Sequence, residues 1–172
     1  GGLDLIFPHH EAEITQMEAV SGKSPMVRYW LHTGFLNVNG EKMSKSLHNF
    51  ITIRELLKDW DADTFRFFVL STHYRSPIDF SKDSLHQSEK SLEKIKKFYT
   101  ALDVEVSDVE SDFEALKVAK EEFFGSMDDD FNTPKAIAAI FGLINDSKND
   151  LDELSDDDKI AIKVFLDDVS HI

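Results

Sequence analysis

Residues 35–50, FLNVNGEKMSKSLHNF, decide how the rest of the chain is interpreted. The first half alternates apolar and polar residues, and Asn39-Gly40 is a strong hairpin signal because both central residues of a type I′ turn need φ > 0. Residues 42–46, KMSKS, then place two lysines and two hydroxyls within five positions. Ammonium groups beside hydroxyl donors suit a polyphosphate whose charge grows during a reaction. Composition alone favours a solvated surface loop.

The composition allows a folded chain of one or two small domains. Of the 172 residues, 41% are hydrophobic and 14 are Phe, so a core is expected. No apolar run is long enough to span a membrane, and no leader sequence is visible. The absence of cysteine excludes a disulfide scaffold and fits a cytoplasmic location.

The net charge of −14 is unevenly distributed. Residues 1–102 carry 13 acidic and 13 basic side chains, whereas residues 103–172 carry 20 acidic and 6 basic ones. An acidic surface repels a phosphate backbone. Any nucleic-acid contact is therefore expected mostly in the first part.

Residues 1–16, GGLDLIFPHHEAEITQ, predict the end of a strand at 1–7 and a helix from Pro8 to about Val20. His9 and Glu13 are spaced i, i+4 on one helical face, which suits two ligands of one metal. The alternative is an ordinary surface pair.

Two motifs of one family now coincide. Residues 42–46 are identical to the Lys-Met-Ser-Lys-Ser motif of class I aminoacyl-tRNA synthetases, and residues 1–16 closely resemble the GGxDLxFPHHENEIAQ segment of cysteinyl-tRNA synthetases. THYRS at 72–76 and MDDDFNTP at 127–134 resemble the helical region of the same family. Motifs in the right order are more specific together than singly.

The resemblance implies that ATP, with magnesium, activates cysteine as an adenylate, and that cysteine is then transferred to tRNA(Cys). Lys42 and Lys45 would be catalytic by stabilising the phosphates, and Lys45 is the better candidate. Asp4 would lie against the adenosine, although a turn or capping carboxylate is the alternative. The ATP-binding residues that it implies are Gly2, Asp4, Ser44, Lys45 and Ser46.

The resemblance also implies zinc, held by His9 and Glu13 and recognising the substrate thiolate. The family completes that site with two upstream cysteines, which this sequence lacks. A His-Ile-Gly-His-like phosphate motif is missing as well. We therefore expect a fragment of a monomeric enzyme that is inactive by itself and holds at most half of the zinc site.

Further elements follow from local patterns. Residues 26–34 predict another strand, and Thr52 with Glu55 forms a capping box that begins a short helix through Lys58. Asp61 or Asp63 begins the next helix. Longer helices are expected at 81–102, 109–124, 134–149 and 156–170, with Thr133 as the N-cap of the third.

Two charged groups have open interpretations. Lys90, Lys94 and Lys97 share one helix face, where they could meet tRNA phosphates, but a solvated face is the favoured interpretation. Residues 128–130, three consecutive aspartates, lack a calcium-loop spacing and are interpreted as a solvated capping loop.

The predicted fold is mainly α. Residues 1–50 would be the C-terminal remnant of a class I Rossmann-like α/β catalytic domain, 51–80 a connecting segment of the stem-contact type, and 81–172 an antiparallel helical tRNA-binding bundle. Two alternative functions stay open: a mycothiol-pathway cysteine ligase, and a non-catalytic helical module that binds RNA or another partner.

Overall fold

The computed structural model describes residues 1–44, 49–148, 151 and 153–170. Helices dominate this part of the chain, which confirms the mainly α prediction. None of its helices is long and apolar enough to cross a membrane. The α-helices are α1 Glu11–Ser21, α2 Ile53–Leu56, α3 Ala62–Leu70, α4 Lys82–Ala101, α5 Glu114–Asp128, α6 Thr133–Lys148 and α7 Asp156–Ser170.

The chain begins with helical turns rather than with the predicted strand. A 3₁₀ turn at Leu3–Leu5 and a π-helical turn at Ile6–His10 lead into α1. The extended backbone of Phe7 (φ −134°, ψ 132°) kinks this entry. Gly22, in the left-handed region at φ 65°, ends α1 after Ser21, close to the end predicted at about Val20.

The strand predicted at 26–34 is also wrong in extent. Within that stretch only Thr33 pairs, through a parallel bridge to Gly2. Apolar and polar alternation describes two faces of a strand but supplies no partner for its backbone groups. The sequence pattern therefore predicts an extended chain at 26–34, but it does not show whether another strand pairs with it.

A three-stranded sheet lies beside the small helices. It consists of β1 Leu36–Val38, β2 Glu41–Lys42 and β3 Ile78–Phe80 in the order β2-β1-β3. β1 pairs antiparallel with β2 and parallel with β3, in the register that sets Leu36 opposite Ile78. Parallel strands need a crossover connection, which α2 and α3 provide here.

Two separate cores hold the helices, and α4 contributes to both. The small core consists of Leu56, Phe68 and Leu85. The large core begins with Phe98 on α4 and extends through α5, α6 and α7. Leu85 and Phe98 belong to one helix but to different cores, so α4 connects the sheet region with the bundle. Ser81 begins α4 as predicted, because its hydroxyl accepts from the Ser84 amide.

The bundle follows the predicted order with local corrections. Helix α5 begins at Glu114 rather than near 109. Four residues, 129–132, separate α5 from α6, a length typical of an antiparallel helix hairpin. Asn132, not Thr133, is the capping side chain, because its Oδ1 accepts from Lys135 N, three residues on, at 3.4 Å.

Candidate functional site

The hairpin before residues 42–46 forms as the sequence predicts. Asn39 (φ 51°) and Gly40 (φ 82°) are both in the left-handed region that a type I′ turn needs. The Gly40 amide donates to Asp79 Oδ1 at 2.8 Å, which attaches the turn to β3. The start of the KMSKS loop is therefore fixed by a tight turn and by the sheet.

Asn49 closes the base of that loop, a role that the sequence analysis missed. Its Oδ1 accepts from the Ser44 amide at 2.8 Å, and its Nδ2 donates to the Lys42 carbonyl at 3.3 Å. Met43 donates its amide to Leu36 O at 2.9 Å, and its side chain lines an apolar cleft against α2 and α3. The start of the loop is thus tied twice, by the partly buried Met43 and by the two hydrogen bonds of Asn49.

Lys42 is exposed at the end of β2, and its ammonium lies 3.9 Å from the centroid of the Phe35 ring. An exposed cation–π contact of this kind is worth about 0.5–1 kcal/mol, so it holds the ammonium only weakly. Lys45 and Ser46 lie outside the described residues, and their roles stay predictions.

Gly2 and Asp4 lie beside Thr33, to which Gly2 is bridged. Thr33 N donates to Gly1 O at 2.8 Å and Leu3 N donates to Thr33 O at 3.2 Å, around the Gly2–Thr33 bridge. A Cβ at Gly2 would come within 2.5 Å of Asp4 Oδ1. The space beside Gly2 is therefore taken by the Asp4 carboxylate, and close approach of a ligand at Gly2 stays a prediction.

Three rings meet beside this bridge. His10 Nδ1 is 2.8 Å from His32 Nε2, so one nitrogen donates and the other accepts, and the pair can share one proton. Trp30 stacks on His32 with an interplanar angle of 9° and a centroid distance of 6.0 Å. Burial is the main cause that lowers the pKa of His32, and positive charge on His10 and Arg75 lowers it further. His32 is thereby favoured as a neutral imidazole, able to accept a hydrogen bond.

Local sequence patterns do not predict this cluster. Trp30 and His32 are two residues apart in extended chain, which places them on one face. His10 is 22 residues from His32, and nothing local indicates that the two meet. Of the adjacent histidines His9 and His10, the structure joins the second to this cluster.

His9 and Glu13, the predicted metal ligands, are both exposed, His9 in the π-helical turn before α1 and Glu13 in the first turn of α1. Within the described ranges, no group of three or more His, Cys, Asp or Glu side chains could hold a metal ion. Zinc sites use at least three protein ligands. The two side chains therefore do not make a zinc site by themselves, and their role as ligands stays a prediction.

The aspartates at 128–130 are not simply a solvated loop. Asp130 accepts from Tyr74 Oη at 2.6 Å and, through both of its oxygens, from Arg75 Nε at 2.5 Å and Nη2 at 3.0 Å. The Arg75 and Tyr74 hydrogen bonds lower the pKa of Asp130 from its ordinary 3.8 to about 2. The THYRS and MDDDFNTP stretches, 55 residues apart, thus contact each other through one carboxylate.

The lysines proposed for tRNA are exposed on α4. Lys97 pairs with Glu93 of its own helix at 3.2 Å, while Lys90 and Lys94 are exposed on the same helix. The neighbouring Lys96 pairs with Asp63 of α3 at 3.4 Å. This arrangement fits the solvated face that the sequence favours.

Comparison with protein families gives two matches. Residues 1–90 match the model described as tRNA synthetases class I (C) catalytic domain, and residues 122–167 match the DALR domain. The first match ends within α4, and the second covers the end of α5, the 129–132 connection, α6 and most of α7.

Individual relatives agree with these matches. A "Cysteine--tRNA ligase" of Geobacter sp. (strain M21) is 52% identical over 153 residues, covering 84% of this chain and 32% of the relative. A protein of the same name from Thermococcus gammatolerans is 48% identical over 155 residues, with the same two coverages. The chain spans about a third of the length of these curated relatives.

One solved structure shares the fold. The ternary complex of LeuRS with tRNA and LeuAMS from Agrobacterium radiobacter K84 superposes with a TM-score of 0.75 at 21% identity. The match covers 95% of this chain and 24% of that one. At this identity the likeness concerns the fold alone.

Proposed function

We propose a function from one premise: this chain belongs to the class I tRNA synthetases, with relatives that are cysteine–tRNA ligases. The proposed activity, that of the whole protein, is the ATP-dependent attachment of cysteine to tRNA(Cys) in the cytoplasm. The carrying observation is the match over residues 1–90 together with the type I′ hairpin that leads into Lys42-Met43-Ser44. The two alternative functions, a mycothiol-pathway cysteine ligase and a non-catalytic helical module that binds RNA or another partner, have no comparable support.

The first step needs positive charge at the phosphates. A carboxylate oxygen of cysteine attacks the α-phosphorus of ATP, and pyrophosphate leaves with the electron pair of the broken P–O bond. Lys42 and Lys45, with Ser44 and Ser46 as hydroxyl donors, would stabilise the charge that develops on the phosphate oxygens and on magnesium-bound pyrophosphate. Lys42 gives up only a weak contact with Phe35 when it turns to the phosphates.

Gly2 and Asp4 would hold the adenosine. The carboxylate of Asp4 is an acceptor for ribose hydroxyls. Because Gly2 has no Cβ, this carboxylate can lie close to the backbone that pairs with Thr33. In the second step a terminal hydroxyl of tRNA attacks the cysteinyl carbonyl, and AMP leaves. This step requires that the cysteinyl carbonyl of the adenylate is held close to the attacking tRNA hydroxyl in the correct orientation.

Zinc belongs to the proposal with a restriction. His9 and Glu13 are suitable donors on one helical turn, and zinc would favour a thiolate over the hydroxyl of serine. The residues present supply two ligands where three or four are needed, so they do not fit the metal by themselves. No step of the proposed reaction is assigned to it.

The bundle is proposed as the tRNA-facing part. We keep the boundaries 1–50 for the catalytic part, 51–80 for the connecting segment and 81–172 for the bundle, and propose a monomer. The α4 lysines are positive groups that can contact tRNA phosphates, whereas the acidic residues after 102 repel phosphates. The tRNA path would therefore follow α4 rather than α7.

A chimera tests the catalytic proposal. This chain replaces the matching third of the Geobacter sp. (strain M21) relative, and Lys45→Ala is introduced into the chimera. Losing one stabiliser of developing charge should slow adenylate formation about 10²–10³-fold. Single-turnover formation of cysteinyl adenylate at saturating ATP and cysteine measures this rate.

The matched control is Lys90→Ala, an exposed lysine on α4 that the adenylate step does not use. It should leave the rate of adenylate formation unchanged. An inactive but folded chimera would contradict the proposed activity. Equal rates for the Lys45 variant and the control would remove Lys45 from the mechanism.

A further inference from the structure

Asp130 is held in an uncommon backbone conformation between α5 and α6. Its φ is 57° and that of Phe131 is 54°, both in the left-handed region that L-residues rarely adopt. Phe131 N donates to Met127 O at 3.1 Å and Asn132 N donates to Ser126 O at 2.9 Å, which fixes this conformation at the end of α5. The bundle thus holds one carboxylate in a position that the backbone does not take up freely.

That carboxylate is engaged by one short turn of the connecting segment, at residues 73–75. Arg75 binds both of its oxygens, Tyr74 donates to one of them, and His73 Nε2 lies 3.9 Å from the other. A bidentate guanidinium–carboxylate pair fixes direction as well as distance. The Asp130 side chain therefore determines how residues 73–75 are presented.

The same turn supports the backbone beneath the proposed site. Gly34 N donates to Tyr74 O at 2.7 Å, and a Cβ at Gly34 would lie 2.3 Å from Ser76 O. Only glycine permits this close approach. Residue 34 lies between His32 and Phe35, and Phe35 is the ring on which Lys42 rests. The turn is therefore in direct contact with the backbone that leads from His32 to Phe35.

We propose that Asp130 is a positioning residue for the proposed catalytic part, residues 1–50: from the bundle it fixes turn 73–76 of the connecting segment, and this turn fixes residues 32–35. The proposal rests on the proposed function for its significance, but the coupling itself is a property of this chain. A ligand that displaces the connection between α5 and α6 would then alter the placement of His32 and of the hairpin leading to Lys42.

The test uses the whole 172-residue chain, labelled with ¹⁵N, and two neighbouring substitutions. Asp130→Asn keeps the side-chain shape and removes the charge that binds Arg75. Asp129→Asn is the matched control, because Asp129 pairs with Lys135 of the bundle itself at 3.7 Å. Amide hydrogen exchange of Gly34 reports the bond to Tyr74 O, and the ring signals of His32 report the site.

Asp130→Asn should accelerate Gly34 exchange by about two- to fivefold and shift the His32 ring signals, since a partly exposed ion pair is lost. Exchange of Leu143, in the bundle core, should not change in either variant. Unchanged Gly34 exchange in Asp130→Asn, or an equal effect of Asp129→Asn, overturns the proposal.

If Asp130→Asn also accelerates exchange of Leu143, Arg75→Lys decides in its place. It keeps the positive charge, loses the two-pronged contact and leaves the bundle sequence intact. Faster Gly34 exchange in that variant supports the coupling, and unchanged exchange overturns it. All measurements are made without ATP, cysteine or tRNA, so a failure of the proposed enzymatic function would not affect their outcome.

Discussion

Residues 1–55 carry every side chain assigned to nucleotide or metal chemistry, yet the described part of this stretch contains no fully buried residue. Residues 98–166 carry none of those side chains, and the described ones among them supply a core of fourteen buried residues. Burial of apolar area is the main source of stability. The site region is therefore held by directed contacts to its neighbours, and the bundle by packing.

Directed contacts hold the described part of the site region to its neighbours. β1 pairs with β3, Gly34 bonds to Tyr74, and Asn49 ties the base of the KMSKS loop. Such regions occupy the low-stability end of a protein, where local opening is frequent. The site proposed for ATP and a tRNA end is expected to have this character, while the bundle provides a rigid frame.

The largest expected effect separates packing from exposure. Phe165→Ala removes a side chain that is 1% exposed in the bundle core and should lower the free energy of unfolding by about 3–5 kcal/mol. Phe7→Ala is the matched control, because Phe7 is 76% exposed in the site region, and it should change stability by no more than about 0.5 kcal/mol. Urea unfolding followed by circular dichroism gives both values. Comparable losses would show that the two regions share one core.

An intermediate effect compares two helix caps. Asn132→Ala should destabilise the bundle by about 1 kcal/mol, because the Lys135 amide loses its acceptor. Thr52→Ala removes the acceptor of the Glu55 amide at the head of a four-residue helix. It should speed exchange of that amide and leave the global urea midpoint unchanged.

Thr133→Ala is the control for the first cap. If Thr133 were the N-cap, as the sequence predicts, its substitution would cause the larger loss of stability. A larger effect of Asn132→Ala agrees with the hydrogen bond in the structure. A global loss on Thr52→Ala would contradict the difference drawn between the regions.

The features that the sequence predicts correctly are local in the chain. Asn39-Gly40 needs only the backbone conformation of its own two residues, and the capping box of Thr52 and Glu55 spans four residues. The mainly helical fold follows from apolar periodicity within each helix. In each case the atoms that interact are encoded within one turn.

The features that it misses depend on distant partners. Asp130 meets Arg75 across 55 residues, and His10 meets His32 across 22. Residues 26–34 alternate as a strand does, but only Thr33 has a partner. Three consecutive aspartates by themselves predict a solvent-exposed loop. Only the position of turn 73–76 shows that the last of them, Asp130, accepts hydrogen bonds from Arg75. The sequence pattern shows which residue types are present, but it does not show which distant residues come into contact.

The smallest expected effect lies at the joint between the two regions, where both partners are partly exposed. Folding lowers the pKa of Asp130 from 3.8 to about 2, because Arg75 and Tyr74 bind its carboxylate form. The folded state therefore binds this proton less readily than the unfolded state does. The stabilisation is fully present above pH 3.8 and is lost as the pH falls towards about 2.

Urea midpoints of the wild type and of Asp130→Asn, measured as a function of pH, isolate this contribution from that of the other carboxylates. The wild type should be the more stable protein by a constant margin above pH 3.8, and the margin should narrow steadily below it. Exposed ion pairs contribute little, so the margin should be smaller than the effect of either Phe165→Ala or Asn132→Ala. Asp112→Asn is the control within the bundle: the Lys117 hydrogen bond also lowers the pKa of Asp112, but that pair joins no two regions. A margin for Asp130 that widens on acidification would mean that Arg75 does not favour the ionised carboxylate, and the contact would then not join the regions in solution.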